Sequence, residues 1–183
     1  DVGGIARIKA ELNSPDKKSR FSAAWLLGQL RAQAATPEAE GLAKKVLDTA
    51  ERGSIRHVAA IALSNLSVSS PDAVTDEVVT NLLEASGPQN LALTRTISKF
   101  FIAAVNVRSF SERLRQEPMR TSVAAFVRAN KAAVLLPGAL GEMVTLLARQ
   151  IDEPLDDPTP IVDPTGPGVA GVDAVVGPLE IIV

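Results

Sequence analysis

Four segments of this chain share one pattern of residues. In each, an arginine or another polar residue is followed by small apolar residues and then by leucine-type residues three, four and seven positions further on. The segments occupy residues 20–30, 56–66, 90–100 and 120–130, so their starts lie 36, 34 and 30 residues apart. Self-similarity at such a period is typical of stacked helical pairs, because one pair alone cannot bury its apolar face. The pattern predicts an all-α fold of stacked antiparallel helical hairpins, with an interaction surface rather than a catalytic pocket.

The first two segments are apolar on two sides of a predicted helix. Four residues of the first segment form one stripe at helical spacing: Ala23, Leu26, Leu27 and Leu30. Three apolar residues fall on roughly the opposite side: Phe21, Trp25 and Gly28. The second segment has a matching stripe, with Ile61 opposite: Ala59, Ala62, Leu63 and Leu66. A helix that is apolar on two sides is usually sandwiched between layers, so we expect these helices to be inner helices.

Breakers and caps divide the first 151 residues into nine predicted helices. Ser14-Pro15, Thr36-Pro37 and Ser70-Pro71 each combine a good N-cap with a proline suited to the first helical position. The helices are expected near residues 3–13, 17–33, 38–52, 55–67, 72–85, 89–106, 109–116, 119–134 and 139–151. The connections are short, which favours antiparallel neighbours.

The charge of the chain is divided between two regions. All 19 basic residues lie at or before Arg149, and residues 1–151 also hold 14 acidic residues, a net charge of +5. Residues 152–183 hold seven acidic residues and no Lys or Arg, a net charge of −7. These signs are compatible with the second region lying on a helical body, either its own or that of a neighbour.

The second region is predicted to be an extended C-terminal arm. Residues 152–168 contain five prolines and cannot form a helix. Residues 169–183 are apolar and β-prone, and four of their side chains are candidate anchors on another surface: Leu179, Ile181, Ile182 and Val183. The predicted domains are therefore a helical body, 1–151, and an arm, 152–183.

Composition limits the environment and the chemistry of the chain. There is no cysteine, so neither a disulfide framework nor a thiolate metal site can form. No apolar run approaches the roughly 18–20 residues that cross a bilayer, so we expect a soluble protein, in the cytoplasm or within a macromolecular assembly. The first residue is Asp1 rather than methionine, which is compatible with the removal of a leader.

The repeated segment resembles the second helix of a HEAT-type repeat, as in HEAT and armadillo α-solenoid proteins. In the first unit the resemblance rests on Leu12, Pro15-Asp16, Arg20, Ala23-Ala24, Leu27-Gly28 and Leu30, and in the second on Arg56, Ala59-Ala60, Leu63 and Leu66. The third unit departs from it with Asn90 and Leu93-Thr94. The fourth keeps Arg120 but has Asn130 in place of a leucine. Over roughly residues 5–135, the resemblance implies a scaffold that binds proteins or, less often, nucleic acids, and it implies no chemistry.

Candidate catalytic and metal-binding residues are few. His57 is the only histidine, which argues against histidine-centred acid–base catalysis and against a two-histidine metal site, and we expect it in a partly buried position equivalent to that of Phe21. The carboxylates of Asp72, Asp76 and Glu77 fit a structural role at a helix start better than a hydrolytic site. A second acidic group lacks the spacing of a calcium loop: Asp152, Glu153, Asp156, Asp157 and Asp163. No enzyme activity and no cofactor is predicted.

Two groups of residues are candidate binding sites in the body. Phe21 and Trp25 form an aromatic pair that either serves as an exposed hot spot for a partner or packs against a neighbouring helix. Six basic residues between positions 108 and 131 are a candidate phosphate-binding patch: Arg108, Arg113, Arg115, Arg120, Arg128 and Lys131. The sequence thus predicts a non-catalytic scaffolding subunit that assembles with a protein, most simply itself, through its helical faces and its arm. A nucleic-acid coat protein is the alternative.

Overall fold

The computed structural model describes residues 2–30 and 36–155 of the 183-residue chain. Within these ranges the secondary structure is entirely helical, which confirms the predicted all-α class. The α-helices are α1 (Val2–Glu11), α2 (Lys17–Leu27), α3 (Thr36–Leu47), α4 (Gly53–Ser69), α5 (Asp76–Glu84), α6 (Leu91–Ala104), α7 (Arg108–Leu114), α8 (Met119–Ala129) and α9 (Ala139–Ile151). Short 3₁₀ helices occupy Pro71–Ala73, Pro88–Asn90 and Lys131–Leu135. The arm beyond Leu155 lies outside the described residues.

Two predicted helix starts are wrong in detail. The Asp16 side chain, rather than that of Ser14, caps α2 and accepts a hydrogen bond of 2.9 Å from the backbone N–H of Ser19. After Ser70-Pro71 the chain forms a 3₁₀ turn, and the following α-helix begins later, with Thr75 as its cap. In both places a second cap-competent residue lies close by, and the local sequence does not decide between them.

Three predicted helices also end earlier than expected, and one of them is α3, which ends at Leu47 instead of residue 52. Helix α2 ends at Leu27, where Gly28 is its C-cap, instead of continuing to residue 33. Helix α8 ends at Ala129, and the chain tightens into the 3₁₀ helix Lys131–Leu135. Such tightening is a usual way for the last carbonyl groups of a helix to find donors.

Four helices pack side by side in one row. Helix α4 packs on α2 at one flank and on α6 at the other, and α9 packs on the far flank of α6. On one side of this row, α3 packs on α4 and α8 packs on α9, and α5 contacts both α3 and α8. We call α2, α4, α6 and α9 the inner row. The fourth repeated segment, 120–130, lies in α8 and therefore outside this row, where α9 takes the position expected for it.

The core lies between the inner row and the helices that cover it. The small residues Ala23, Ala24, Ala59 and Ala60 are buried where α2 and α4 approach each other and their neighbours. Larger side chains fill the centre: Leu27, Leu63, Leu66, Ile97, Phe100 and Phe101. Leu26 is exposed, so its predicted place in the buried stripe of α2 is wrong.

A buried carboxylate holds the start of α2 against the turn between α3 and α4. Glu51 accepts hydrogen bonds from Arg20 Nε at 2.7 Å and Nη2 at 3.0 Å, and from the backbone N–H of Arg52 at 2.9 Å. Arg20 Nη1 also donates to the carbonyl oxygens of Ser14 and Pro15, at 2.8 and 3.0 Å. The arginine that begins the first repeated segment is therefore a structural clamp.

Acidification is expected to remove the stabilisation that Glu51 provides. The hydrogen bonds from Arg20 lower the pKa of the Glu51 carboxyl in the folded chain. A group whose pKa is lowered by folding stabilises the protein above its unfolded pKa, about 4.3 for glutamate, and loses that contribution as the pH falls below it. Glu51→Gln should therefore be less stable than wild type at neutral pH and should lose less stability on acidification. Urea unfolding at neutral pH and below about pH 4 measures both effects.

The control for this prediction is Glu84→Gln, which changes an exposed carboxylate at the end of α5. Its unfolding midpoint should follow that of the wild type at both pH values. Equal acid sensitivity of Glu51→Gln and wild type would show that the clamp does not contribute to stability.

Candidate functional site

One side of α2, α4 and α6 is left open by the helices that cover the inner row. Trp25 in α2 and Ile61 in α4 occupy equivalent positions of the repeat, and Phe21 is equivalent to Leu91 of α6. Six large apolar side chains on this side are between 43% and 61% exposed: Phe21, Trp25, Ile61, Val68, Leu91 and Ile102. We call this surface the row face. The expectation that the second apolar side of α2 and α4 would be sandwiched between layers is wrong for these residues. Phe21 and Trp25 are 43% and 52% exposed, so no neighbouring helix covers them fully, although Phe21 lies beside the first turn of α4.

The row face is basic as well as apolar. Helices α2, α4 and α6 contain six Lys and Arg residues and no Asp or Glu: Lys17, Lys18, Arg20, Arg56, Arg95 and Lys99. Arg20 is engaged by Glu51, whereas Lys17, Lys18, Arg95 and Lys99 are exposed. Such a surface repels cations and a second copy of itself, and it attracts a partner that carries apolar groups and carboxylates.

The predicted basic patch is for the most part engaged within the chain. Arg108 Nε pairs with Glu112 at 2.7 Å, and Arg115 Nε donates to the carbonyl oxygen of Gln150 at 2.7 Å. Arg128 forms two hydrogen bonds with Glu153, from Nε at 2.6 Å and from Nη2 at 3.1 Å. These contacts leave fewer cations for phosphate groups than the sequence implied.

Arg113 is the most deeply engaged of the six basic residues. Its guanidinium lies 5.2 Å from the ring centre of Phe110, its Nε is 3.1 Å from Asp76 Oδ1, and Nη1 donates to the carbonyl oxygen of Pro71 at 3.3 Å. Burial lowers the pKa of this guanidinium. Arg113 therefore joins α7 to α5 and the preceding turn, and Asp76 has the structural role expected for it.

The remaining basic residues of the patch surround the point where the described chain ends. The hydrogen bonds from Arg128 are the main cause of a lowered pKa of the Glu153 carboxyl, and the charges of Arg120 and Lys131 lower it further. Asp152 ends α9 in the left-handed conformation, with φ of 55°. The base of the arm is thus held on the helical body by a cluster of cations.

A cleft of about 480 Å³ adjoins the row face at the N-terminal ends of α6 and α9. Leu91 and Arg95 of α6 form one wall, Ala132 and Ala133 lie opposite, and the segment from Leu136 to Gly141 closes one end. Among the described residues, Arg95 is the one charged residue of the lining. Leu136 is 68% exposed, so an aliphatic side chain is available at the mouth of the cleft.

The sequence did not reveal this cleft. Its walls come from residues about 40 positions apart in the chain, and the sequence Leu136-Pro137-Gly138 by itself indicates only the end of a helix. The signal that could have indicated it is Leu136 directly before Pro137-Gly138, because a leucine outside a helix has no helical neighbours to cover it.

The candidate chemical groups do not converge. His57 is partly exposed on α4, as expected from its equivalence to Phe21. Asp72 lies in the 3₁₀ turn before α5, and Glu77 lies in the first turn of that helix. Over residues 2–30 and 36–155, no group of three His, Cys, Asp or Glu residues is arranged to hold a metal ion. Seven candidates of the arm lie outside the described residues: Asp156, Asp157, Asp163, Leu179, Ile181, Ile182 and Val183.

Among the described helices, none combines the length and the hydropathy needed to cross a membrane. Comparison with known protein families, with curated proteins and with solved structures finds no match to this chain.

Proposed function

We propose that this chain is a non-catalytic scaffolding subunit with a HEAT-like α-solenoid body, which assembles with further copies of itself. The observation that supports this most directly is the complementarity of its two regions. The row face is apolar and basic and contains no carboxylate. The arm, residues 152–183, is apolar and acidic and contains no cation. One copy therefore carries both halves of an interface.

The exposed aromatic pair is the main source of binding energy in this interface. Burying one large apolar side chain contributes about 1.5–3 kcal/mol, and Trp is enriched among the few residues that dominate binding energy. Phe21 and Trp25 follow each other by one helical turn on α2, with Ile61 at the equivalent position of α4. Apolar side chains gathered on one face in this way mark an interaction site more often than scattered ones do.

The arm supplies the complementary chemistry. Leu179, Ile181, Ile182 and Val183 offer aliphatic anchors, and Asp156, Asp157 and Asp163 offer charges opposite to those of Lys17, Lys18, Arg95 and Lys99. Face-to-face pairing of two row faces is disfavoured, because it would bring like charges together. We therefore assign the contact between copies to an arm on a body.

Loss of the aromatic pair is expected to weaken self-association of the full chain by at least about 30-fold, the effect of removing one hot spot worth about 2 kcal/mol. The variant is Phe21→Ser with Trp25→Ser, and sedimentation equilibrium across the micromolar range measures the dissociation constant. The control is Leu26→Ser, which removes an exposed leucine of the same helix that lies beside α1 rather than on the row face. It should change the constant by less than about threefold. A wild-type chain that stays monomeric throughout would contradict the proposal.

Nucleic acid is the alternative partner. The dependence of binding on salt concentration distinguishes it from a protein partner. Binding through phosphate contacts weakens steeply between low and moderate salt, whereas apolar docking does not. A fluorescent single-stranded oligonucleotide is the probe. Tight binding that salt abolishes, and that survives loss of the aromatic pair, would favour a nucleic-acid coat protein. The engagement of Arg108, Arg113, Arg115 and Arg128 by the chain itself is the reason that we propose a protein partner instead.

A further inference from the structure

We propose that the cleft between α6 and the Leu136–Gly141 segment receives residues 179–183 from the arm of a second copy. This inference rests on the proposed function, because it names the place where the arm is captured. It commits the cleft to one occupant, a short aliphatic segment of this same chain.

The chemistry of the cleft matches that segment. Its walls are formed mainly by Leu91, Ala132, Ala133 and Leu136, with the Arg95 guanidinium at one side. A volume of about 480 Å³ lies in the range of sites that bury small ligands, about 300–1,000 Å³. It is therefore suited to a few aliphatic side chains and too small for a folded domain. The sequence Leu-Glu-Ile-Ile-Val at 179–183 supplies four aliphatic side chains and one carboxylate.

The cleft is continuous with the row face. Leu91 and Arg95 belong to both surfaces, so an extended segment that enters the cleft meets the apolar and basic side of α6 as it does so. Capture in a groove by alternate side chains is a usual mode of recognition for an extended peptide.

The length of the arm favours a second copy over the same chain. The arm leaves the body after the C-terminal end of α9, whereas the cleft lies at the N-terminal end of that helix, about 18 Å away at 1.5 Å per helical residue. Residues 156–178 separate this exit from the anchors and include five prolines. Pro-rich linkers extend by about 3.1 Å per residue, so residues 156–168 alone favour a spacer of about 40 Å.

A spacer of about 40 Å is longer than the span of about 18 Å along α9 that separates the start of the arm from the cleft of its own body. Effective concentration falls when a linker is much longer than the span between its sites, which disfavours binding within one chain. A body of about 150 residues has a radius of gyration near 15 Å, so about 40 Å is enough to reach a neighbouring body. The arm is therefore suited to link two copies.

The test blocks the cleft and the arm in different full-length chains. Leu136→Asp places a charge at the mouth of the cleft. Ile181→Asp with Ile182→Asp places two charges in the aliphatic segment of the arm. The matched control is Leu135→Asp, because Leu135 is also 68% exposed and precedes Leu136 directly but does not line the cleft. Each of the first two variants should weaken self-association at least about tenfold, whereas the control should associate like wild type.

Mixing the two blocked chains decides between capture by a second copy and capture within one chain. The Leu136→Asp chain has an intact arm and the arm variant has an intact cleft, so an equimolar mixture should form a one-to-one complex that neither variant forms alone. Light scattering measures the mass. A mixture that stays monomeric, or a Leu136→Asp chain that associates like wild type, would overturn the inference.

The same measurements separate this inference from the proposed function. If the wild type associates and the Phe21 and Trp25 variant does not, but Leu136→Asp has no effect, the scaffold proposal stands and the cleft assignment fails. If the wild type does not associate at all, both fail.

Discussion

Replacement of Phe100 by alanine is expected to destabilise the helical body by about 3–5 kcal/mol, the usual cost of removing a phenylalanine from a core. Phe100 is 1% exposed in α6 and lies at the centre of an aromatic cluster. Its ring centre is 5.0 Å from that of Phe101 and 5.7 Å from that of Phe110, both in edge-to-face geometry. The variant loses these contacts and leaves a cavity beside the rings of Phe101 and Phe110. Because most domains are stable by about 5–15 kcal/mol, this is a large fraction of the total.

Urea unfolding followed by circular dichroism measures the change in the free energy of unfolding. The control is Ile102→Ala, two residues along the same helix, whose side chain is exposed on the row face. Exposed positions usually change stability by no more than about 0.5 kcal/mol, so this variant should unfold like wild type. Equal effects of the two substitutions would show that Phe100 is not buried as described.

Replacement of Gly28 by alanine is expected to destabilise the protein by about 1–3 kcal/mol, because a methyl group there has no space. A Cβ atom on Gly28 would lie 2.7 Å from both Cα and Cβ of Ala62, on the neighbouring helix α4. The backbone of α4 must then shift, and it is held by α3 and α6 as well as by α2. The backbone of Gly28, with φ of −66°, suits alanine, so the expected loss is steric rather than conformational.

A second glycine provides the control. Gly53 is the first residue of α4, and a Cβ atom there would meet no atom within 4 Å. Gly53→Ala should be neutral or stabilising by up to about 1 kcal/mol, since alanine restricts the unfolded chain. The midpoints of thermal unfolding of the two variants should therefore shift in opposite directions or by clearly different amounts. A Gly28→Ala variant as stable as Gly53→Ala would contradict the close approach of α2 to α4.

The sequence predicted the number and the order of the helices in the described ranges well, because breakers and apolar periodicity act locally. It did not predict which cap would be used at α2 or α5, where Asp16 and Thr75 compete with Ser14 and Ser70. The fourth repeated segment shares the pattern of the other three, but it lies in α8, outside the inner row. Both helices of a hairpin are amphipathic, so similarity of pattern does not distinguish an inner helix from a covering one.

The candidate site was predicted in part. The aromatic pair of α2 was recognised, but its exposure depends on which helices cover the inner row, and that is a property of the whole fold. The basic residues between positions 108 and 131 were recognised as a cluster in sequence. Their partners lie far away along the chain, as Asp76 does for Arg113 and Glu153 for Arg128, so local charge balance overestimated the cations available.

The near contact between Gly28 and Ala62 has a consequence for recognition as well as for stability. Two helices that meet backbone to backbone have little freedom to slide, so the distance between the aromatic pair on α2 and Ile61 on α4 is set before any partner arrives. Binding to such a preorganised surface avoids much of the entropy loss that a flexible surface suffers on association. Gly28 therefore sets the spacing of the aromatic pair and Ile61, and this spacing limits which partner surfaces the row face can fit.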